Sequence, residues 1–404
     1  MSRPTLLVVA PLVPYFDRFA GALRFFTMLR ILAREYRIIL LAGARPGEER
    51  YVAALTSLGV EVQDAASTKM EPLLPRIEAG VFFEFYHAAE EILDIVRLLR
   101  SDLPIVVDSV DLEFVRQSRA VAYSEAPAVA ARRALDTRER ELGVYRRADA
   151  VIVVTESDKR TLLECLPESR IAVVPTIHPE ASEVPGYHDR RPNSLLFVGG
   201  FAHSPNVDAV LYFGREVLPL IRRSVPDVAV TIVGDAPPEE VRRLASDNVT
   251  LTGWVPDVEP YLASHMVSIA PLRIGSGMKG KVGEAMAHGL PVVVTTIAAE
   301  GMDLSDGDTA LIADSADAFA AAVVRLLGDQ PLHHRLSTNG RHAARTRWSE
   351  EVAARDLLAL MRTLSELTPK RASAQKRLLW AVRILLRRAG IASLWRVLRK
   401  VTKR

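Results

Sequence analysis

The sequence predicts an α/β protein built of two doubly wound halves, and three observations carry that reading. Short apolar runs alternate with amphipathic stretches, the pattern of parallel strands joined by crossover helices. The alternation breaks once, at 182–193, and then starts again. Most runs of the second half end in glycine or proline, where a strand gives way to a loop. At 404 residues the chain has room for two ordinary domains and a remainder.

Taken in order, residues 6–10 read as a strand and 19–33 as a helix with Leu23, Phe26, Leu29 and Leu32 along one side. A strand at 38–41, a helix at 48–58 closed by Gly59 and a short strand at 60–62 follow. Strands at 82–85 and 105–108 flank a helix at 88–100, and a long charged helix at 125–147 precedes a strand at 151–154. Residues 182–193 hold Pro185, Gly186, Pro192 and a charge cluster with neither period. They read as the linker between an N-terminal domain, 1–181, and a C-terminal domain, 194–347. In the latter, strands at 194–198, 229–233, 249–251, 267–270 and 291–295 alternate with helices at 206–224, 281–289 and 316–327. Residues 348–369 read as a helix packing back across the domains, and 370–404 as an appended tail. Two such halves enclose a cleft, and ligands of these sheets bind beyond the carboxyl ends of the strands.

Composition narrows the class. Hydrophobic residues at 49% and charged residues at 25% suit a folded globular chain rather than a disordered one. The single cysteine, Cys165, excludes an intrachain disulfide framework and fits a reducing compartment. The apolar start, residues 6–14, lacks a cleavage pattern and reads as a buried strand rather than a secretory signal. No window approaches the roughly 18–20 apolar residues of a spanning helix. A cytoplasmic location is therefore expected. The net charge of +3 hides an asymmetry: residues 370–404 carry 12 Lys or Arg and no acid, leaving a body of 40 basic against 49 acidic residues.

The most informative stretch runs from Ala270 to Val294: a strand, a glycine-rich turn, and a short helix closed by Gly289 and Pro291. Gly275, Gly277 and Gly280 let the backbone approach a ligand with its amides aimed at an anion. The helix N-terminus adds partial positive charge at the same place. Arg273, Lys279 and Lys281 add full charges, and Glu284, one turn on, can accept two ribose hydroxyls. A diphosphate beside a ribose suits this arrangement. The spacing is that of neither a Walker loop nor a dinucleotide fingerprint. The competing reading is a flexible turn followed by a solvated basic face.

These residues resemble the donor-binding signature of glycosyltransferase family 4, in its subgroup with Gly-Ser-Gly-x-Lys-x-Lys before Glu-Ala-Met-Ala-x-Gly-x-Pro-Val-Val. The likeness extends over 195–329, through Phe197-Val-Gly-Gly-Phe-Ala-His-Ser-Pro-Asn-Val-Asp208 and Leu251-Thr-Gly-Trp-Val-Pro-Asp257, with weaker echoes at 148–155 and 173–175. The resemblance implies a GT-B fold and a retaining transfer of sugar from a nucleotide diphosphate donor. It makes Glu284 the ribose ligand. To the donor's diphosphate and sugar it gives Gly200, Arg273, Gly275, Ser276, Gly277, Met278, Lys279, Gly280 and Lys281. Ser276 stands where many members have Glu, and Gly200-Phe-Ala-His203 replaces their usual Arg and Lys. Lys279 and Lys281 are therefore expected to supply the catalytic cations. His203 reads either as a cleft residue near phosphates or acceptor, or as a cap. No metal site and no resident cofactor are expected.

On the other half, Asp108-Ser-Val-Asp111-Leu-Glu113 follows a strand, and Val110 replaces the His of a pattern common in the family. Asp111 is the candidate for acceptor orientation or proton acceptance, with Glu113 beside it; helix capping is the rival reading of Asp111. Gly21 and Arg24 lie in the segment resembling the family's acceptor loop, and Glu84 and His87 follow another strand.

Read as helices, 375–388 and 391–401 set Leu378, Leu379, Val382, Leu385, Leu386, Leu394, Trp395 and Leu398 against Lys and Arg faces. A basic amphipathic pair suits an anionic membrane surface at the inner face of the plasma membrane; the alternative is packing on the acidic body. Nothing accompanies the charge to suggest nucleic acid. The expected partners are thus a nucleotide-sugar donor and a glycan or lipid-linked acceptor. A sugar-nucleotide epimerase and a non-catalytic binding partner in polysaccharide assembly are the rival functions.

Overall fold

The computed structural model describes residues 3–18, 20–275 and 277–366, together with positions 378, 381, 382 and 385. The expectations for Ser276, and those for the tail 370–404 apart from these four positions, lie outside the described residues.

The N-terminal half is a seven-stranded parallel sheet in the order β3-β2-β1-β4-β5-β6-β7. Its strands are β1 (Thr5–Leu12), β2 (Arg37–Gly43), β3 (Glu61–Asp64), β4 (Gly80–Glu84), β5 (Ile105–Asp108), β6 (Ala150–Val153) and β7 (Ile171–Val173). β1 pairs in parallel with β2 and β4, so the chain winds out in both directions from the centre. Such strands are apolar throughout because helices cover both faces. One face buries Leu6, Val8 and Phe82 beneath Phe25, Met28 and Leu29 of the helix Ala20–Glu35. The other buries Leu7, Val9 and Phe83 with Leu93 and Val96 of the helix Tyr86–Leu99.

The C-terminal half is a six-stranded parallel sheet in the order β10-β9-β8-β11-β12-β13. Its strands are β8 (Ser194–Val198), β9 (Ala229–Val233), β10 (Val249–Gly253), β11 (Val267–Ala270), β12 (Val292–Val294) and β13 (Leu311–Ile312). After β8 the chain lays down β9 and β10 on one side, then returns to lay β11, β12 and β13 on the other. This reversal makes the crevice between the carboxyl ends of β8 and β11 the topological switch point.

The chain crosses between the halves twice, at the linker and near Ser349. Past Ser349, whose side chain caps it, the helix Glu350–Ser365 returns to the first half. Leu357, Leu360 and Met361 join its core there, and Glu350 pairs with Arg34 at 3.0 Å.

Two helices that periodicity did not announce matter for the site: Glu113–Ala120 and Glu156–Cys165. Both are short and charged, so neither shows an apolar stripe. The helix expected at 206–224 is broken by a π turn, Phe213–Val217, followed by Pro219.

Candidate active site

The loops that follow β8 and β11 face each other across the switch point, and glycines let them meet. A Cβ at Gly234 would lie 2.1 Å from the Gly199 carbonyl oxygen. A Cβ at Gly199 would lie 2.8 Å from the Lys281 ammonium. Only glycine at 199 leaves that cation its place.

Lys281 stands in the first turn of the helix Gly280–Ala287. Its Nζ donates to Asn206 Oδ1 and lies 4.2 Å from the centre of the Phe197 ring. Burial, then repulsion by Lys279, moves its pKa down to about 7. Lys279 is buried and donates to the Gly277 carbonyl at 2.6 Å. Burial lowers its pKa to about 8, against the pull of Glu300 and Asp158. Both cations thus hold their protons weakly beside a helix N-terminus, the condition in which an arriving anion gains most.

Glu284 lies one turn further along the same helix. Desolvation alone raises its pKa to about 7, and no hydrogen bond or ion pair engages its carboxylate among the described residues. An under-solvated acceptor on the helix that carries Lys281 is a group poised for a ligand.

The remaining donor-side candidates divide. Gly275 and Gly277 belong to the loop itself, and Gly277 has a left-handed φ of 64° that favours glycine. Gly280 starts the helix against Ala20, with which an added Cβ would collide at 2.5 Å. Met278 packs on the C-terminal core instead of facing outward. Gly200 accepts a hydrogen bond from Asn206 Nδ2 at 2.7 Å. Arg273 grips Asp208 at 2.5 and 3.1 Å, and its guanidinium lies over the Tyr212 ring.

His203 occupies the N-cap position of the helix Ser204–Tyr212, yet its side chain makes no capping bond. Arg116 of the first half and Lys281 and Lys279 of the second lie near enough to act on its ring. Desolvation, then the charges of Arg116, Lys281 and Lys279, lower its pKa to about 4, so the ring is neutral near pH 7. The cleft reading therefore fits better than the cap.

The acceptor side contributes Asp111, brought against the donor loop: a Cβ at Gly277 would stand 3.2 Å from its Cβ. Asp111 follows Val110, whose φ of 59° is a rare, strained value for a β-branched residue. Arg116 holds its carboxylate at 3.1 Å. Asp111 does not cap the helix Glu113–Ala120, because Glu141 does so by accepting from the amides of Glu113 and Phe114 at 3.2 and 2.9 Å. Glu113 accepts from Gln117 at 2.7 Å. Gly21 faces Val110, whose Cγ1 would lie 3.7 Å from an added Cβ. Arg24 is a correction. It is fully buried, paired with Asp108 at 2.5 Å and donating to the Val174 and Pro175 carbonyls, so it holds the sheet and the domain crossing together and cannot meet an acceptor. Glu84 lies buried behind it, with a pKa raised by desolvation and by Asp108.

Sequence reasoning missed the residues that join the halves. Arg119 reaches from the helix Glu113–Ala120 to the Gly275 carbonyl and to Glu300, both at 2.7 Å. Arg18 lies 5.6 Å above the ring of Trp254. His178 is buried at the crossing, its ring fitted against Gly283, where an added Cβ would be 2.4 Å from Nε2. Asn206 alone had a signal, since it stands in the stretch after β8 that carried the resemblance. A surface groove of about 690 Å³ lined by His188, His333 and Arg341 contains none of the candidate residues. The candidate cations, the loop amides and Glu284 are instead grouped around the helix Gly280–Ala287.

Two parallel-sheet domains closing over an anion-binding loop are the architecture of the GT-B glycosyltransferases, and comparison with known proteins agrees. Residues 192–329 match the family of glycosyl transferases group 1. A phosphatidyl-myo-inositol mannosyltransferase of Mycolicibacterium smegmatis is 27% identical over 236 residues, 53% of this chain and 59% of that protein. The solved sucrose-phosphate synthase of Thermosynechococcus elongatus superposes with a TM-score of 0.67 at 15% identity, covering 89% of this chain and 99% of the other. Anabaena Alr3699/HepE, solved in complex with UDP-glucose, gives a TM-score of 0.64 at 12% identity over 89% and 100%. The family match covers about a third of the chain, and over its whole length the chain has the GT-B fold. The aligned segments span from 37% to 70% of the curated relatives' own lengths, about half. No helix among the described residues is long and apolar enough to cross a membrane.

Proposed function

We propose that this protein transfers a sugar, with retention of anomeric configuration, from a nucleotide diphosphate donor to a membrane-associated glycan or lipid-linked acceptor in cell-surface polysaccharide or glycolipid synthesis. The observation that carries the reading is the helix Gly280–Ala287. Its N-terminus and Lys281 present positive charge at the switch point, and Glu284 waits one turn away without a partner. The diphosphate would lie against the loop 275–281 and the ribose against Glu284. The acceptor hydroxyl would enter beside Asp111 and His203.

In this reading the C1–O bond to the diphosphate breaks and the electron pair leaves with the phosphate. The acceptor oxygen bonds to C1 on the same face, and its proton passes to the departing phosphate oxygen. Such a step needs cations and amides on the diphosphate more than it needs a strong protein base, which suits a cleft whose histidine is a weak base. The reading calls on no resident metal or cofactor. Closure across the Arg119 and Arg18 contacts would keep water from the donor. The relatives' names, a mannosyltransferase for a phosphatidylinositol lipid among them, support a glycolipid or glycan acceptor.

Membrane attachment is the proposed role of 370–404. Its described positions Leu378 and Leu385 are helical and exposed at 67% and 65%.

The test is incubation of purified protein with UDP-, GDP-, ADP- and dTDP-sugars and a bacterial lipid extract. Label is expected in the lipid or glycan fraction, with nucleoside diphosphate released in equal amount. Epimerised sugar without transfer would establish the epimerase instead, and neither product would leave a binding partner.

A further inference from the structure

Arg119 does more than staple the two domains. Its guanidinium touches the donor loop at the Gly275 carbonyl and holds both oxygens of Glu300. Lys279 lies against the same glycine, since a Cβ added at Gly275 would stand 3.1 Å from its Cε, and Glu300 and Lys279 each act on the other's titration. Burial works to raise the Glu300 pKa, but the hydrogen bonds and charge of Arg119, and then Lys279, outweigh it and leave the carboxyl below its usual value. Glu300 is therefore an anion with two cationic suitors, one from each domain. Arg119 lies in the last turn of the short helix Glu113–Ala120, whose Arg116 holds Asp111, so one rigid element spans from the acceptor side to the donor loop.

We propose that Arg119 is a positioning residue for sugar transfer: by occupying Glu300 it keeps that carboxylate from capturing Lys279, which is thereby left free for the donor's diphosphate. This rests on the glycosyltransferase reading and extends it, because it makes the acceptor domain responsible for the electrostatics of the donor loop. Lys279 is the affected cation because its ammonium has only the Gly277 carbonyl as a described hydrogen-bond partner, with Glu300, Asp158 and Asp111 around it. Among these, Glu300 acts most strongly on Lys279, and it is the one that loses its guanidinium when Arg119 is removed. Lys281 is insulated from the exchange, held by Asn206 and the Phe197 ring on the other side of the loop.

The prediction separates this role from simple stapling, since the damage done by losing Arg119 is undone by also neutralising Glu300. The experiment is calorimetric titration of whichever of UDP, GDP, ADP or dTDP the wild type binds. It is run on wild type, Arg119→Gln, Glu300→Gln and the double variant, with circular dichroism as a check on folding. Arg119→Gln is expected to weaken binding about tenfold, and the double variant to return to within about threefold of wild type. Arg119→Lys, which keeps a charge on Glu300, is expected to stay within about threefold and guards against a glutamine variant that fails to fold. A double variant as weak as Arg119→Gln, or an Arg119→Gln variant that binds like wild type, would overturn the proposal while leaving the transferase reading intact. A folded wild type that binds none of the four would overturn the underlying reading, and this inference with it.

Discussion

Glu284→Ala is expected to weaken binding of the donor's nucleoside diphosphate about a hundredfold, because two ribose hydroxyls lose a charged acceptor at about 1.5–3 kcal/mol each, part of it recovered from water. The apo protein should not suffer for the loss. Burial lifts the Glu284 pKa from 4.5 to about 7 with no compensating partner, so the native state binds the proton more tightly than the unfolded chain does. Stability then falls as pH rises through that window, and above pH 7 the ionised carboxylate is a full liability. The isosteric Glu284→Gln variant should therefore unfold later than wild type at pH 8. The gain is on the order of 2 kcal/mol after discounting for the side chain's partial exposure, and it should vanish near pH 4. Calorimetric titration with nucleotide and thermal melts at the two pH values check both halves. A carboxylate kept only for structure would give the reverse: a destabilised protein with unaltered affinity.

The second large effect is on rate. Lys281→Ala should lower kcat by about 100- to 1000-fold, the scale of losing one preorganised group on a developing oxyanion. Binding carries a pH signature as well. Lys281 must be protonated and Glu284 ionised, and both titrate at about 7 in the free protein. Affinity for the nucleoside diphosphate should thus peak near pH 7 and fall on either side. Binding at pH 8 should take up protons, seen as an enthalpy that changes with the buffer's ionisation heat. In Lys281→Ala the alkaline limb should flatten, the remainder belonging to Lys279, whose pKa is about 8. An affinity that rises steadily from pH 6 to 9 would argue against Lys281 as the phosphate cation.

Both of these residues could be picked from the sequence, because they sit on one short helix within a strand–turn–helix pattern whose period and glycines are local information. The two sheets were legible for the same reason: most of their strands hold the continuous apolar runs that parallel burial requires. What stayed hidden was set by distant contacts. The helix Glu113–Ala120 is too short and too charged to show a stripe, so Arg119 had no context that could mark it. Arg24 was misplaced, and the partner of Arg273 unseen, because an arginine near a glycine loop looks the same in sequence whether it faces a ligand or a carboxylate. Only the fold supplies Asp108 for the one and Asp208 for the other. Asp111 kept two readings until Glu141, 30 residues on, proved to be the cap.

The most direct test of the central claim is a crystal structure of the protein with the nucleoside diphosphate that it binds in solution. The account predicts the two phosphates against the loop 275–281, within reach of Lys281, and both ribose hydroxyls within hydrogen-bond distance of the Glu284 carboxylate. A nucleotide bound elsewhere, for example in the groove beside His188 and Arg341, with the Gly280–Ala287 helix unchanged, would contradict it.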